Sequence, residues 1–139
     1  MNELATQFRG TITELKVATR LLEYGFIVSR PLIDNRYDYI LDTGEAMYKI
    51  QVKTANEKDD FITFKTCNTH TNTQGTFNRN YKGEIDFFAT FFQGEVYLIP
   101  IGECGSRSKR LRITKAKNNQ EHGISYLEDY TVEKIFLND

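Results

Sequence analysis

The sequence predicts a single α/β domain, and three stretches carry that prediction. Apolar residues recur at helical spacing over residues 3–24. Residues 37–55 and 84–101 are rich in aromatic and β-branched residues around a short turn, and each predicts an antiparallel hairpin. The chain has 139 residues, of which 40% are hydrophobic, so it has the size of one domain and enough apolar side chains for a core of its own.

The first predicted element is an amphipathic helix over residues 3–24, with Asn2 as its N-cap and Gly25 after its last turn. Its apolar stripe, which we expect to face the core, contains Leu4, Phe8, Ile12, Leu15, Ala18 and Leu22. Glu14 lies beside this stripe, near Ala18 and Leu21. Its carboxylate is therefore expected at the border between the helix and the sheet.

The rest of the chain predicts short strands separated by turns and loops. Residues 26–30 predict the first strand, stopped by Pro31 and followed by a loop over residues 31–36. After the first hairpin, residues 56–60 predict a charged turn and residues 61–66 a further strand that continues a meander. Residues 67–82 are polar and predict a long loop, a kind of segment that is usually functional or disordered. Residues 85–88 are also compatible with a helical turn, and residues 126–137 predict a closing helix.

The first hairpin places polar side chains on one face. Because residues two apart on a strand point the same way, Lys49, Gln51 and Lys53 share a face. If residues 43–46 form the loop, Asp38 lies opposite Gln51 at roughly 5 Å. A carboxylate, an amide and an ammonium then converge.

This set of groups suits a hard divalent cation such as Mg²⁺, which takes oxygen ligands and few carboxylates. Asp38 would be the anionic ligand, and the side-chain oxygen of Gln51 and the backbone carbonyl of Val52 would be neutral ligands. Lys53 would orient an attacking water and offset charge at a phosphate. The alternative is a half-exposed hairpin with ordinary surface polar residues.

The order of these features resembles the PD-(D/E)XK nuclease superfamily. The stretch RGTITELKVATRLLEYGFIVSRP resembles the first helix and strand of archaeal Holliday junction resolvases and of group I intron-associated homing endonucleases. The stretches RYDYIL, YKIQVKTA, YKGEIDFFATFF and VYLIPIG are more similar to the homing endonucleases, which extends the resemblance to about Ile101.

The resemblance implies a restriction-endonuclease-like fold of αβββαβ type, a central mixed β-sheet flanked by helices. It also implies that Asp38 and residue 51 bind Mg²⁺, with Mn²⁺ as a possible substitute, that Lys53 serves the attacking water, and that Glu14 reaches the metal shell. The chain has Gln51 where Asp or Glu is usual, and Tyr37 where Pro is usual. The homing endonucleases it resembles tolerate Gln there, but with one anionic ligand fewer the metal affinity should drop unless Glu14 compensates.

Two stretches are candidates for contact with nucleic acid. The basic cluster consists of Arg107, Lys109, Arg110, Arg112, Lys115 and Lys117, which suits backbone phosphates. The polar stretch 67–82 contributes Asn72, Gln74, Asn78, Arg79 and Lys82, whose side chains hydrogen-bond to bases or phosphates in other proteins. Solvated surface charge and a flexible surface loop are the respective alternatives.

Composition limits the other possibilities. The net charge of −1 means that nucleic-acid binding must come from a local patch. Cys67 and Cys104 have no metal-ligand spacing and suggest neither a zinc site nor a disulfide framework. No run is apolar and long enough for a signal or a membrane span, so we expect a cytoplasmic protein without a membrane partner.

The function expected from these features is a Mg²⁺-dependent, site-specific endonuclease that hydrolyses double-stranded DNA, similar to homing endonucleases. Because both strands of a duplex must be cut by small subunits, we expect a homodimer or a homotetramer, with the aromatic runs 87–92 and 96–99 as a possible interface. A structure-specific junction resolvase and a non-catalytic DNA-binding module of the same fold are the alternatives.

Overall fold

The computed structural model describes residues 3–114 and 123–137 and, within them, all side chains except those of residues 69–71. Helix α1 spans Glu3–Glu23, as predicted within one residue. The strands are β1 (Ile27–Ser29), β2 (Tyr39–Asp42), β3 (Met47–Val52), β4 (Asn56–Lys58), β5 (Phe61–Lys65), β6 (Cys67–Asn72), β7 (Gly75–Asn80), β8 (Phe87–Phe92), β9 (Glu95–Pro100) and β10 (Ser108–Arg112). No helix in this described part of the chain is long and apolar enough to span a bilayer.

The main sheet is mixed and has the strand order β1-β2-β3-β8-β9. All neighbouring pairs are antiparallel except β3 and β8, which run parallel from the pair Ile50 and Phe87. Both predicted hairpins are present: Asp42 pairs with Met47 around a four-residue loop, and Phe92 pairs with Glu95 around Gln93 and Gly94. Gln93 has a φ of 49°, so the left-handed conformation of this turn falls on a residue other than glycine as well as on Gly94.

The chain between β3 and β8 differs from the prediction. Residues 56–60 contain strand β4, which pairs with β5 in a separate three-stranded sheet of order β10-β5-β4, so the expected meander does not continue. Residues 67–82 are not a loop either, because β6 and β7 pair over their whole lengths as a two-stranded ribbon. Apart from the buried Cys67, the side chains that the structure describes in β6 and β7 are exposed, so the pairing supplies backbone hydrogen bonds with little burial.

Helix α1 buries a different face from the one predicted. Thr13, Val17 and Leu21, at spacings of four residues, are its buried residues. The predicted core stripe is exposed instead, with Leu4 59%, Phe8 61%, Ile12 48%, Leu15 56% and Leu22 56% accessible. The helix touches the sheet along one narrow line, which needs only two aliphatic side chains, so its more apolar face lies toward solvent.

Two hydrophobic clusters cover the two faces of the main sheet. One cluster places Val17 and Leu21 of α1 against Leu41, Ile50 and other sheet residues. The other joins the sheet to the β10-β5-β4 sheet. Phe88, Val96, Leu98 and Ile99 are fully buried in these clusters, so most of the runs 87–92 and 96–99, expected as a possible interface, forms the core instead. Phe91 is only partly buried.

The C-terminal segment closes the core with short turns rather than one helix. A 3-10 helix spans Leu127–Tyr130 and a π-helical turn spans Glu133–Leu137. Tyr130 and Val132 are buried, and Phe136 packs its ring 5.1 Å from that of Tyr48. The segment predicted to close the core therefore packs against it, although its backbone is not a continuous α-helix.

Candidate active site

Two hydrogen bonds, one at Thr13 and one at the backbone of Glu14, join helix α1 to the first hairpin. The hydroxyl groups of Thr13 and Thr54 lie 3.0 Å apart. The Tyr39 hydroxyl donates to the backbone carbonyl of Glu14 at 3.0 Å. These contacts bring the half-buried Glu14 side chain to the start of β2.

Asp38 immediately precedes β2 and is held against the edge of β3. Its backbone N–H donates to the carbonyl of Ile50 at 2.8 Å, and its Oδ2 accepts from the N–H of Val52 at 2.8 Å. The register pairs Tyr39 with Ile50, and one further step places Asp38 opposite Gln51, as the loop length predicted. The carboxylate therefore has a fixed position with one oxygen left over for another ligand.

The two carboxylates occupy a shared electrostatic environment. Burial raises the pKa of Glu14 and the nearby charge of Asp38 raises it further, while Arg30, whose Nη2 lies 3.7 Å from Glu14 Oε1, lowers it. Burial also raises the pKa of Asp38, more than the Val52 N–H and Lys53 lower it. Both side chains line a small polar cleft of about 100 Å³, so they face the same space. The positive charges near the two carboxylates are therefore too weak to offset the effect of burial on their pKa values.

Lys53 lies on the other side of Asp38. Burial lowers the pKa of its ammonium, and the charge of Asp38 opposes this shift. Its Nζ donates to the Tyr81 hydroxyl at 3.2 Å and to Asn68 Oδ1 at 3.4 Å. The ammonium is thus close enough to Asp38 to interact with its charge, while its hydrogen bonds go to neutral groups.

Gln51 is half-buried in the middle of the sheet, between β2 and Phe88 of β8. Its side chain has no hydrogen-bond partner among the residues that the structure describes. Its amide oxygen is therefore not committed to another protein group, and Val52 follows it at the end of β3. Of the five residues that the sequence singled out, Glu14 and Asp38 share one cleft, and Val52 and Lys53 interact with Asp38. Gln51 is related to Asp38 by the register of the hairpin.

The donor atoms of this cluster are all oxygens. Residues 3–114 and 123–137 contain no group of three or more His, Cys, Asp or Glu side chains that could hold a metal ion. Glu14 and Asp38 provide two carboxylates, and Gln51 and the Val52 carbonyl provide neutral oxygens. This composition fits Mg²⁺, which keeps several waters and is commonly bound by one or two carboxylates, better than it fits a cation that needs a complete protein cage.

The polar ribbon β6–β7 carries most of the second predicted set. Asn72, Gln74, Asn78 and Arg79 are exposed on the ribbon, and Lys82 is exposed just after it. Asn72 Oδ1 accepts from the N–H of Gln74 and so shapes the turn at the tip. Arg79 lies 3.1 Å from Glu84. The tip of the ribbon therefore presents amide side chains to solvent.

The basic cluster divides into two kinds of residue. Arg107 and Arg110 are exposed, and the Arg110 guanidinium stacks 3.5 Å from the centre of the Phe61 ring. Lys109 donates to the Glu103 carbonyl at 2.8 Å, and Arg112 lies 3.4 Å from Asp60, so both serve contacts within the fold. Lys115 and Lys117 lie outside the described residues.

The sequence reasoning missed Tyr81 and Asn68, which contact Lys53 directly. Tyr81 is 1% exposed although it stands among polar residues. The available signal was the repetition of Thr at alternate positions before Gln74, because Thr favours strands and a strand here brings both ends of the segment together. No strand was predicted in that segment because it contains almost no apolar residues.

Comparisons with known proteins identify the family and the fold of the chain. The sequence model of the family described as PD-(D/E)XK endonuclease matches residues 4–133. The solved structure of the bacterial homing endonuclease I-Ssp6803I superposes with a TM-score of 0.71 at 24% sequence identity, covering 91% of this chain and 88% of that one. It shows that the two chains share the fold. A search of the curated proteins found no match.

Proposed function

Because the chain belongs to the PD-(D/E)XK endonuclease family, we propose that this DNA endonuclease cuts double-stranded DNA at specific sites and requires Mg²⁺. The single observation that carries the proposal is the placement of Asp38. Its carboxylate is fixed by the Val52 N–H at 2.8 Å, shares a cleft with Glu14, and interacts with the charge of Lys53. An acid pair beside a buried ammonium is the arrangement that phosphodiester hydrolysis needs.

The residues that would hold Mg²⁺ are Asp38, Glu14, Gln51 and the carbonyl of Val52, and Mn²⁺ would be the natural substitute. When bound, the ion supplies Lewis acidity toward the phosphate and makes a bound water more acidic. Supporting this assignment, Asp38 raises the pKa of Glu14, and a cation between them would relieve that repulsion.

The other groups of the site act through position and charge. Lys53 orients the attacking water and offsets the charge that develops on the phosphate oxygens. Arg30, which lies 3.7 Å from Glu14, keeps that carboxylate directed into the cleft. The buried sheet beneath them keeps these distances fixed, which matters because misplacement by about 1 Å can cost two orders of magnitude in rate.

The surfaces that we propose for DNA are the ribbon β6–β7 and the exposed cations Arg107 and Arg110. A two-stranded ribbon has the dimensions to enter the major groove, where amide side chains discriminate bases. Asn72, Gln74 and Asn78 are candidates for that role, and Arg79, Lys82, Arg107 and Arg110 for phosphate contacts. The shared fold with I-Ssp6803I, a bacterial homing endonuclease, supports a homing-type role with a defined target site.

We propose a homodimer or homotetramer assembled through the exposed face of α1. That face carries Phe8 and Leu15, and a hollow of about 280 Å³ beside it is lined by Leu15 and Phe91 among others. Light scattering should show an oligomer for the unmodified protein and a monomer for the double variant Phe8→Glu, Leu15→Glu. The control Met47→Glu changes a 70% exposed apolar residue elsewhere and should leave the mass unchanged. A monomeric unmodified protein contradicts the assembly.

The test of activity is a selection of cleaved molecules from a randomised duplex library in the presence of Mg²⁺, with Lys53→Ala as the control. We expect a defined cut sequence with the unmodified protein and none with the variant. Equal cutting by Lys53→Ala would place the chemistry elsewhere. Binding without cutting would indicate a non-catalytic DNA-binding module, and preference for a four-way junction over every linear duplex would indicate a junction resolvase.

A further inference from the structure

Lys53 hydrogen-bonds to Asn68 and Tyr81, which lie at the base of the ribbon β6–β7, the end opposite its turn. Its Nζ donates to the Tyr81 hydroxyl at 3.2 Å and to Asn68 Oδ1 at 3.4 Å, and the Tyr81 hydroxyl itself donates to the same Asn68 oxygen at 2.6 Å. Since the hydroxyl proton points at Asn68, the lone pairs of the hydroxyl are left for the ammonium. The three groups form a closed triangle, so each one fixes the direction of the other two.

Tyr81 is itself held firmly. Its ring is 1% exposed and packs edge-on against Phe88, with centroids 5.4 Å apart and an interplanar angle of 86°. The Arg36 guanidinium covers it at 3.8 Å from the ring centre and donates from Nη2 to the carbonyl of Asn80 at 2.6 Å. Arg36 Nε also lies 3.2 Å from Glu84. The hydroxyl therefore has little freedom to follow Lys53 if the lysine moves.

A lysine side chain has a long flexible stem, and a site that uses its ammonium must restrict that stem. The charge of Asp38 attracts the ammonium from one side, but a point charge does not define an angle. The Tyr81 and Asn68 oxygens supply two directional acceptors. The position of the ammonium then follows from all three groups together.

Both acceptors come from the base of the ribbon. Asn68 is the second residue of β6 and pairs with Arg79 in the ribbon, and Tyr81 directly follows β7. The same element that presents amide side chains at its tip thus contacts Lys53 at its base. The proposed DNA contacts at the tip are therefore separated from Lys53 by the length of the ribbon.

We infer that Tyr81 and Asn68 are positioning residues for Lys53, through which the ribbon that contacts DNA also sets the place of the ammonium in the active site. This inference rests on the proposed function of Lys53. It assigns different roles to the two ends of the ribbon: the tip determines affinity for the target, and the base determines the rate of cutting once the target is bound.

The variant Tyr81→Phe tests the inference because it removes the hydroxyl and keeps the ring. We expect the single-turnover cleavage rate on the duplex recovered from the selection to fall roughly 10- to 100-fold, since a misplaced group loses rate steeply. Asn68→Ala should act in the same direction. The dissociation constant for that duplex without metal, measured by fluorescence anisotropy, should stay within about twofold for Tyr81→Phe, because a change in position rather than in binding is expected.

A matched control removes a hydrogen-bonded hydroxyl elsewhere. Tyr130 is also buried, and its hydroxyl donates to Glu103 Oε1 at 2.8 Å. Tyr130→Phe should therefore leave the cleavage rate unchanged. Gln74→Ala, at the tip, should instead raise the dissociation constant for the duplex.

A second readout needs neither metal nor DNA. With ¹⁵N-labelled lysine, the Lys53 ammonium should give a proton–nitrogen NMR signal that is protected from fast exchange, and Tyr81→Phe should abolish this protection while Tyr130→Phe retains it. If Lys53→Ala loses cleavage but Tyr81→Phe cuts at the unmodified rate with an unchanged signal, the inference is overturned and the proposed function stands. If the unmodified protein cuts no DNA, the proposed function fails, and the NMR signal still decides whether Tyr81 holds the lysine.

Discussion

Helix α1 brings a charged side chain to the sheet at two places, and the two places are built differently. In the first, Glu14 joins Asp38 and Lys53. In the second, which we call the Glu95 cluster, Arg20 donates to both carboxylate oxygens of Glu95 at 3.0 and 3.1 Å, and the Tyr24 hydroxyl donates to Glu95 Oε1 at 2.7 Å. Glu95 has several donors, whereas the Asp38 carboxylate accepts from one backbone N–H.

The pKa values follow this difference. Burial raises the pKa of Glu95, but the hydrogen bonds from Arg20, Tyr24 and the Val96 N–H overcome it, and the net pKa lies below its usual value. Burial dominates at Asp38, and the net pKa lies above its usual value. The Glu95 carboxylate is therefore satisfied within the fold, whereas the raised pKa of Asp38 makes it a candidate for a functional group.

Asp38→Asn should abolish most of the cleavage while leaving the fold intact. The amide keeps an oxygen for the Val52 N–H but loses the anionic ligand, so we expect the single-turnover rate to drop by roughly 10³-fold. The Tm should stay the same or rise, because a carboxylate with a raised pKa is a net cost to the folded state at neutral pH. Glu95→Gln is the matched control and should show the reverse, a normal rate and a lower Tm. Similar behaviour of the two variants would remove the contrast.

Gln51→Glu should increase the affinity of the site for Mg²⁺. A second carboxylate beside Asp38 adds an anionic ligand, so the Mg²⁺ concentration that gives half-maximal cleavage should fall by about tenfold. Without metal, the added charge repels Glu14 and Asp38, and the Tm should decrease. Gln74→Glu, at the exposed tip of the ribbon, should leave the metal requirement unchanged. If both variants need as much Mg²⁺ as the unmodified protein, residue 51 is not a ligand.

The same contrast applies to cations on β10. Arg110 is exposed and has no acidic partner among the residues that the structure describes. Arg110→Ala should therefore reduce the slope of log affinity against log salt by about 0.9, the loss of one phosphate contact. Arg112 lies 3.4 Å from Asp60, so Arg112→Ala should lower the Tm and keep the slope. Titrations of a labelled duplex at several salt concentrations distinguish the two. An unchanged slope for Arg110→Ala places that residue away from the DNA.

The smallest effect is the pH dependence of the Glu95 cluster. Because the folded pKa of Glu95 is depressed, its stabilising contribution is present above the unfolded pKa and is lost as pH falls through the folded pKa. The pair is partly exposed, so screening limits the difference in Tm between the unmodified protein and Glu95→Gln to about 2–4 °C near neutral pH. The difference should disappear at acidic pH below the folded pKa. A constant difference across this range would mean that packing, not charge, stabilises the cluster.

The parts of the fold that local patterns specify were predicted well. The four-residue loop determined the register of the first hairpin, and this register was sufficient to place Asp38 opposite Gln51. Helix α1 was predicted within one residue, but its buried face was not, because periodicity shows that a helix is amphipathic without showing which partner covers the apolar side. In the structure of the single chain, part of the apolar side of α1 is exposed to solvent.

Pairings between distant residues were beyond the sequence. The parallel pairing of Ile50 with Phe87 and the contact of Arg112 with Asp60 join segments that no local pattern relates. The ribbon was missed for another reason: strand prediction depends on burial, and most of the side chains that the structure describes in these strands are exposed. Because the ribbon was not predicted, no sequence pattern indicated that Tyr81 contacts Lys53.

The parallel neighbours β3 and β8 have a further consequence. Residues 53–86 leave the main sheet after β3 and return beside it, so the whole excursion, ribbon included, begins and ends at adjacent strands. Such an excursion can be lengthened, shortened or exchanged without interrupting any pairing of the main sheet. On the proposed function, a new target sequence can be acquired by changing the tip of the ribbon, whereas Lys53, Asn68 and Tyr81, which lie within the same excursion, must be kept.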